Sequence, residues 1–260
     1  MRWALVIMRP AEMELRNCDN AGRGRENTQR AFETVSTATI ATALFRRGLR
    51  NTVLHGLYSL SPLDKKMVGA AFTVRYISAR EDLDTLDVFE DYQHPQRAAI
   101  EQAPPGSVLV ADCRGNDRAA AAGHILLTRL QVRGAAGFVS DGSVRDSAQV
   151  ATLRLPVFVR SRSAMTNLAL HRAVDINVPI ACAGVAIYPG DTLVGDEDGV
   201  ICVPQHLADA VAIECIEMEG IEDFITHEVR NGAPLRNIYP PSEATRERYR
   251  ASKKDINTNS

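Results

Sequence analysis

An α/β fold is what this sequence predicts, with a βαβ part and an added antiparallel β layer, and three observations predict it. The run Ser107–Ala111 is short and β-branched, with Pro104-Pro105-Gly106 before it and the polar stretch Asp112–Asp117 after it, which marks a buried strand. A helix over Ala119–Arg133 then leads to a second apolar run, Ala135–Val139, completing a strand–helix–strand unit of the usual span. From Asn177 the chain breaks into short β-rich pieces: Val178–Ile180, Val185–Tyr188, Thr192–Val194 and Val200–Val203. They are cut by Pro189-Gly190-Asp191 and Asp196-Glu197-Asp198-Gly199, turns of the kind that join neighbouring antiparallel strands.

Taken in order, residues 1–30 read as an N-terminal arm, a short apolar run from Trp3 to Met8 followed by a polar, glycine-containing stretch that can bury little surface. Ser36 or Thr37 caps a helix carrying Ile40, Leu44 and Phe45, with Arg46 and Arg47 in its last turn and Gly48 as its stop. Strands are expected over Thr52–Leu60 and Val68–Ile77, separated by a turn at Ser61–Lys66. Ser78–Gln102 is acidic and then basic at His94 and Arg97, the pattern of a solvated face or loop. After Val139 a tight polar turn is expected at Ser140-Asp141-Gly142-Ser143, then a short helix from Ser147 to Leu153 and a strand over Leu155–Arg160. A helix from His206 to about Val229 closes the domain, 31–240, and residues 241–260 read as a polar, frayed tail.

Composition narrows the function classes. The chain has 260 residues, 45% hydrophobic and 24% charged, which is the profile of a globular protein and not of a disordered or fibrous one. A formal net charge of -2 with no dominant basic block disfavours direct nucleic-acid binding. Five cysteines without a CxxC spacing argue against a disulfide framework or zinc knuckle and for a reduced, cytoplasmic setting. The apolar start is too short for a signal segment or a membrane span, so neither export nor membrane residence is expected.

The chemistry is expected where Ala135–Val139 ends, because strand exits are where α/β proteins commonly place it. Arg145 and Asp146 stand there side by side, a guanidinium for an anion and a carboxylate for a cation. Just upstream, Ala121-Ala122-Gly123-His124-Ile125-Leu126 opens the helix, whose first turn can present backbone N–H groups to a carboxylate. The plain alternative for Asp146 is a helix N-cap, and for Arg145 a surface ion pair worth little. Asp112 and Arg114 are either supports of the site or loop residues. Asp196-Glu197-Asp198 is either calcium bait or an acidic hairpin turn, and Cys113 and Cys182 read as buried small hydrophobes.

The segments GAAFTVRY (69–76), PPGSVLVADCRG (104–115), AGHILLTRLQVRGAAGFVSDGSVRD (122–146), LPVFVR (155–160) and NVPIACAGVAIYPGDTLVGDEDGVICVP (177–204) together resemble the RraA-like family. That family includes the regulator of RNase E activity and the metal-dependent 4-hydroxy-4-methyl-2-oxoglutarate aldolases. The resemblance implies a swivelling β/β/α-type sandwich and a homotrimer or hexamer with sites at subunit interfaces. It also implies a lyase that releases pyruvate from a 2-oxo acid by retro-aldol cleavage or decarboxylation. Its alternative is a non-catalytic regulator that binds a ribonuclease.

By the same resemblance, Asp146 holds Mg²⁺ or Mn²⁺ largely through waters, and Arg145 contacts the substrate oxygens. The backbone of Gly123, His124, Ile125 and Leu126 holds the pyruvate-like carboxylate, and Glu222 approaches the metal waters of a neighbouring copy. Catalytic members carry an acid twenty-one positions before the arginine, where this chain has His124. An imidazole titrates close to neutrality, so His124 becomes the candidate for moving the substrate's hydroxyl proton.

Overall fold

The structure, a computed structural model, describes residue 24 and residues 26–258. Most of the expected arm, including Trp3–Met8, lies outside those residues, and the part inside them, 26–30, belongs to a helical segment over 26–34 that buries Phe32. Helix α1, Thr37–Arg46, starts at Ser36, whose hydroxyl accepts the Thr39 N–H at 3.1 Å. Strand β1 is only Tyr58–Ser59. The longer strand expected over Thr52–Leu60 reduces to this pair and an isolated bridge from Val53 to Ile201.

Strands β2 (Met67–Ser78), β3 (Ser107–Asp112), β5 (Gly137–Val144) and β6 (Val157–Arg162) lie side by side and parallel, in the order β6-β5-β3-β2. Helix α2 (Pro95–Gln102) precedes β3, whose six residues are all buried. Between β3 and β5 the chain forms a short strand, β4 (Ala120–Ala122), and then helix α3 (His124–Val132), which therefore begins five residues later than the sequence suggests. β4 pairs with the end of β5, and that pairing holds Ala120–Ala122 extended despite alanine's helix preference.

The antiparallel pieces do form, but they do not make a separate layer. Strands β10 (Thr192–Asp196) and β11 (Gly199–Val203) extend the parallel sheet beyond β2. A strand the sequence does not announce, β7 (His171–Ile176), pairs with the far half of β2. Only the β8–β9 hairpin (Ile180–Cys182, Val185–Ile187) stands apart, packed on one face of the sheet through Val108, Val110, Val139 and Phe158. On the other face α2 and α3 bury Ile100, Leu127 and Leu130 against Leu109, Phe138 and Val157. Each such side chain contributes about 1.5–3 kcal/mol by leaving water. Helix α5 (Ala208–Arg230) packs with α1 on Val194, Ile201 and Val203.

One expectation is corrected at the C-terminal end, and one of the two readings of the acidic turn is borne out as a hairpin. Residues Glu243–Thr258 form a helix, α6, not a frayed tail: Tyr249 is buried with Ile221, Ile225 and Ile238, and its ring lies 6.0 Å from that of Phe224. Docking of one aromatic side chain stabilises a helix whose own sequence is almost wholly polar. The acidic turn after β10 binds its own chain. Asp196 accepts the Thr37 N–H at 2.8 Å and the Thr37 hydroxyl at 2.6 Å, anchoring the start of α1. Asp196→Ala is expected to lower stability by about 1–3 kcal/mol in a urea titration, the range for a lost cap or a charge-assisted bond. Calcium is expected to leave the melting temperature unchanged; a calcium-dependent rise would show that the turn is an ion site after all.

Candidate active site

Strand β5 positions the site, and it does so with polar residues in a fully buried strand. The expected turn at Ser140–Ser143 is absent: all eight residues from Gly137 to Val144 are strand and buried. Their polar groups are satisfied by neighbouring backbone, which is why the strand continues. Asp141 accepts the N–H groups of Cys113 (2.7 Å), Gly115 (2.8 Å) and Ala183 (3.1 Å), tying β5 to the β3 exit and the β8–β9 hairpin. Burial pushes the Asp141 carboxyl up, against the pull of those donors. Ser143 donates to the Ala119 carbonyl at 2.9 Å and so fixes the approach to β4.

The chain then turns at Arg145 and Asp146. Asp146 takes a left-handed backbone conformation, φ 56° and ψ 37°, which a non-glycine residue holds at a cost of about 1–3 kcal/mol and which clusters at functional sites. It stands before the four-residue helix α4 (Ser147–Val150), yet its side chain makes no capping bond there. The N-cap alternative therefore fails. Its carboxylate points the other way: Oδ2 accepts the His124 N–H at 3.3 Å and lies 3.5 Å from Arg145 Nε, and Oδ1 takes no hydrogen bond among the described residues. Gly123 makes this possible, because a β-carbon there would sit 2.7 Å from Asp146 Oδ2 and 3.0 Å from Arg145 Cγ.

A cleft of about 240 Å³ opens at this point, below the ~300–1,000 Å³ of drug-sized pockets and suited to a small metabolite. Gly123, Ile125, Leu126, Arg145 and Asp146 line it together, so the structure brings most of the expected site into one wall. Helix α3 has no side-chain cap of its own, and Asp146 answers only one of its first amides. The first turn of a helix leaves such donors free, and they suit a carboxylate. Arg145 and Asp146 are each partly exposed, 46% and 38% at the side chain, so their ion pair adds little to stability and both remain available to a ligand.

Two residues fall outside that wall. The His124 ring does not line the cleft: its Nε2 lies 3.2 Å from the Thr128 hydroxyl one turn along α3, the natural i,i+4 neighbour. The His124 backbone N–H, and not its imidazole, is the group that meets the Asp146 carboxylate. Glu222 sits on α5 near Glu219, Asp223 and Arg46, where burial and Glu219 raise its carboxyl, and one chain does not bring it to Asp146. Asp112 is structural, accepting the N–H groups of Arg114 (2.8 Å) and Ala181 (3.2 Å), while Arg114 reaches the Ser78 hydroxyl at 3.0 Å. Burial drives the Cys113 and Cys182 thiols far up, which leaves both inert.

The opposite wall comes from segments that the sequence does not mark as functional. Phe89, Gln96 and Arg97 belong to the acidic stretch that reads as a solvated face, and Thr166 and Asn167 to the turn between β6 and β7. Gln96 Nε2 donates to the Ala121 carbonyl at 2.5 Å, and Arg97 lies over the Tyr92 ring at 5.7 Å. The one available signal is the pair of basic residues, His94 and Arg97, ending an acidic run. Among the described residues no cluster of three or more His, Cys, Asp or Glu side chains could hold a metal. Asp146 is the one carboxylate that lines the cleft among those residues, a donor set that fits a hard cation retaining most of its waters and no thiolate or imidazole metal.

This fold and this cleft define an α/β protein with a small cleft at the ends of parallel strands, lined by a helix start and an Arg-Asp pair. The chain belongs to the RraA-like family: the aldolase/RraA family model matches residues 37–202. A Halalkalibacterium halodurans protein named "Putative 4-hydroxy-4-methyl-2-oxoglutarate aldolase" is 37% identical over 179 residues, covering 67% of this chain and 75% of that one. An uncharacterized protein from Pseudomonas syringae pv. tomato has a solved structure that matches with TM-score 0.70 at 28% identity, over 82% of this chain and 96% of its own. Streptomyces coelicolor RraAS2, described as an unusual member of the RNase ES inhibitor RraA protein family, matches with TM-score 0.67 at 29% identity, over 76% and 94%. The swivelling sandwich expected from the sequence is thus the fold of this chain.

Proposed function

We propose that this protein is a divalent-cation-dependent lyase that releases pyruvate from a 2-oxo acid, by retro-aldol cleavage of a substrate such as 4-hydroxy-4-methyl-2-oxoglutarate or by decarboxylation of oxaloacetate. The observation that carries the reading is the convergence of Asp146, Arg145 and the open first turn of α3 on one cleft. The name of the Halalkalibacterium halodurans relative agrees with it. Mg²⁺ or Mn²⁺ held by Asp146 would polarise the 2-oxo group as a Lewis acid. The Ile125 and Leu126 amides bind the 1-carboxylate, and Arg145 hydrogen-bonds the oxygen on which negative charge develops.

In the cleavage the C4 hydroxyl loses its proton, the C3–C4 bond breaks, and its electron pair forms the pyruvate enolate, which is then protonated at C3. With the His124 ring turned toward Thr128, Asp146 Oδ1 is the cleft's own acceptor for that proton, directly or through a water. Decarboxylation passes through the same enolate. In this reading the protein works in the cytoplasm as a homotrimer or hexamer, and Glu222 of one copy serves the cleft of the next. Leu86 and Ile125, 80% and 81% exposed, are apolar surface that such a neighbour would cover. Among the described residues no helix is long and apolar enough to cross a membrane.

The second reading is a non-catalytic regulator acting on a ribonuclease, since the Streptomyces coelicolor protein belongs to a family named for RNase ES inhibition. One observation favours it: the residue at the family's acid position is a histidine whose ring lies outside the cleft. A lactate-dehydrogenase-coupled assay separates the two. Pyruvate release from oxaloacetate or the methyl-oxoglutarate aldol is expected with Mg²⁺ or Mn²⁺ and is expected to stop on adding EDTA. No turnover of either acid under any of these conditions would favour the regulator.

A further inference from the structure

Asn167 is the one residue in the cleft whose burial lacks an explanation. It is 4% exposed, yet neither Oδ1 nor Nδ2 has a hydrogen-bond partner among the described residues. Buried side-chain amides are normally paired, and asparagine at the start of a helical turn usually bonds the nearby backbone. Asn167 opens a turn of 3-10 helix, Asn167–Ala169, and makes no such bond. Its place in the fold supplies the missing partner's location, since it lines the same cleft as Arg145, Asp146 and the start of α3. Arg97 lines that wall as well, half-buried, and forms no ion pair among the described residues.

We propose that the Asn167 carboxamide, together with the Arg97 guanidinium, forms a subsite for the far end of the substrate and recognises a hydroxyl and a carboxylate carried on one carbon. This rests on the lyase reading, in which the near end is the 2-oxo acid at α3. A carboxamide presents an acceptor and a donor side by side. An α-hydroxy carboxylate presents the matching pair: in the bound ground state its hydroxyl donates to Oδ1 and its carboxylate oxygen accepts from Nδ2, while Arg97 balances the charge, and the hydroxyl turns its proton to Asp146 only for the cleavage step. A plain carboxylate only accepts and would leave Oδ1 buried and unpaired. The subsite therefore selects an aldol, which carries that hydroxyl, over a β-oxo diacid, which does not. Sites built to bond a hydroxyl reject analogues lacking it more strongly than apolar pockets reject size changes.

Isothermal titration of the full chain in the presence of Mg²⁺ tests this with three unreactive probes: pyruvate, 2-hydroxy-2-methylsuccinate and methylsuccinate. The hydroxylated diacid is expected to bind at least about tenfold tighter than methylsuccinate, and Asn167→Leu is expected to bring that ratio close to one. Removing an unpaired buried amide should leave the melting temperature at or above that of the wild type, and Asn167→Ala repeats the measurement should the leucine fail to pack. Arg97→Leu is expected to weaken both diacids by a similar factor. A ratio near one in the wild type, or one that survives both Asn167 variants, overturns the subsite. If pyruvate still binds in that case the lyase reading stands, and if pyruvate fails as well both fall together.

Discussion

Asp146→Asn is expected to lower metal-dependent pyruvate release by about 10³-fold or more while changing stability by no more than about 1 kcal/mol. The two halves of that expectation have separate causes. Asparagine tolerates the left-handed backbone almost as well as aspartate, and its Oδ1 can still accept the His124 N–H, so the turn survives. What disappears is the one carboxylate that lines the cleft among the described residues, and with it the group proposed to hold the cation. The Arg145 ion pair, partly exposed and 3.5 Å long, contributes too little to register in the melting temperature. Steady-state kinetics, a Mn²⁺ binding titration and a thermal melt on the same preparation check all three statements. A variant that melts normally, binds Mn²⁺ weakly and turns over at the wild-type rate would remove Asp146 from the chemistry. Asp146→Ala should lose activity equally and be less stable by a further ~1–2 kcal/mol, because alanine has no preference for that backbone region.

Why Arg145 and Asp146 are legible in the sequence, and much of their surroundings is not, follows from the range of the interactions involved. The pair follows an apolar run after one short polar stretch, and a buried strand has to end somewhere, so a local pattern locates them. The polar residues inside that strand read as a turn because their partners are distant in sequence: the N–H groups answering Asp141 belong to Cys113, Gly115 and Ala183. Helix α3 reads as starting too early for the same reason, since only pairing with β5 makes Ala120–Ala122 a strand. Arg97 and Asn167 reach the cleft from opposite sides of β3 and β5 in sequence, and no spacing rule joins them. Position alone assigns the His124 ring to the site, whereas one hydroxyl at Thr128 suffices to turn it along the helix.

Gly123→Ala tests the geometry of the site at a single carbon, and its expected result is a loss of about 10²-fold in kcat/KM with a stability change of about 1–3 kcal/mol at most. Gly123 has φ −124° and ψ −179°, extended backbone that alanine adopts freely, so nothing in its conformation demands glycine. The constraint is space. The new methyl would meet Asp146 Oδ2 at 2.7 Å, Arg145 Cγ at 3.0 Å and Arg145 Nε at 3.4 Å, and the half-exposed side chains are what can move. Both working groups of the cleft would shift outward by several tenths of an ångström, breaking the 3.3 Å bond from the His124 N–H that aims the carboxylate. Alanine's smaller loss of backbone freedom on folding, worth about 0.4–1 kcal/mol, offsets part of the cost to the fold and none of the cost to the site. The signature is therefore a protein that melts close to the wild type but releases pyruvate slowly and binds Mn²⁺ more weakly. Full activity in Gly123→Ala would mean that the carboxylate does not stand over α3 during turnover, and the cleft would then need another occupant.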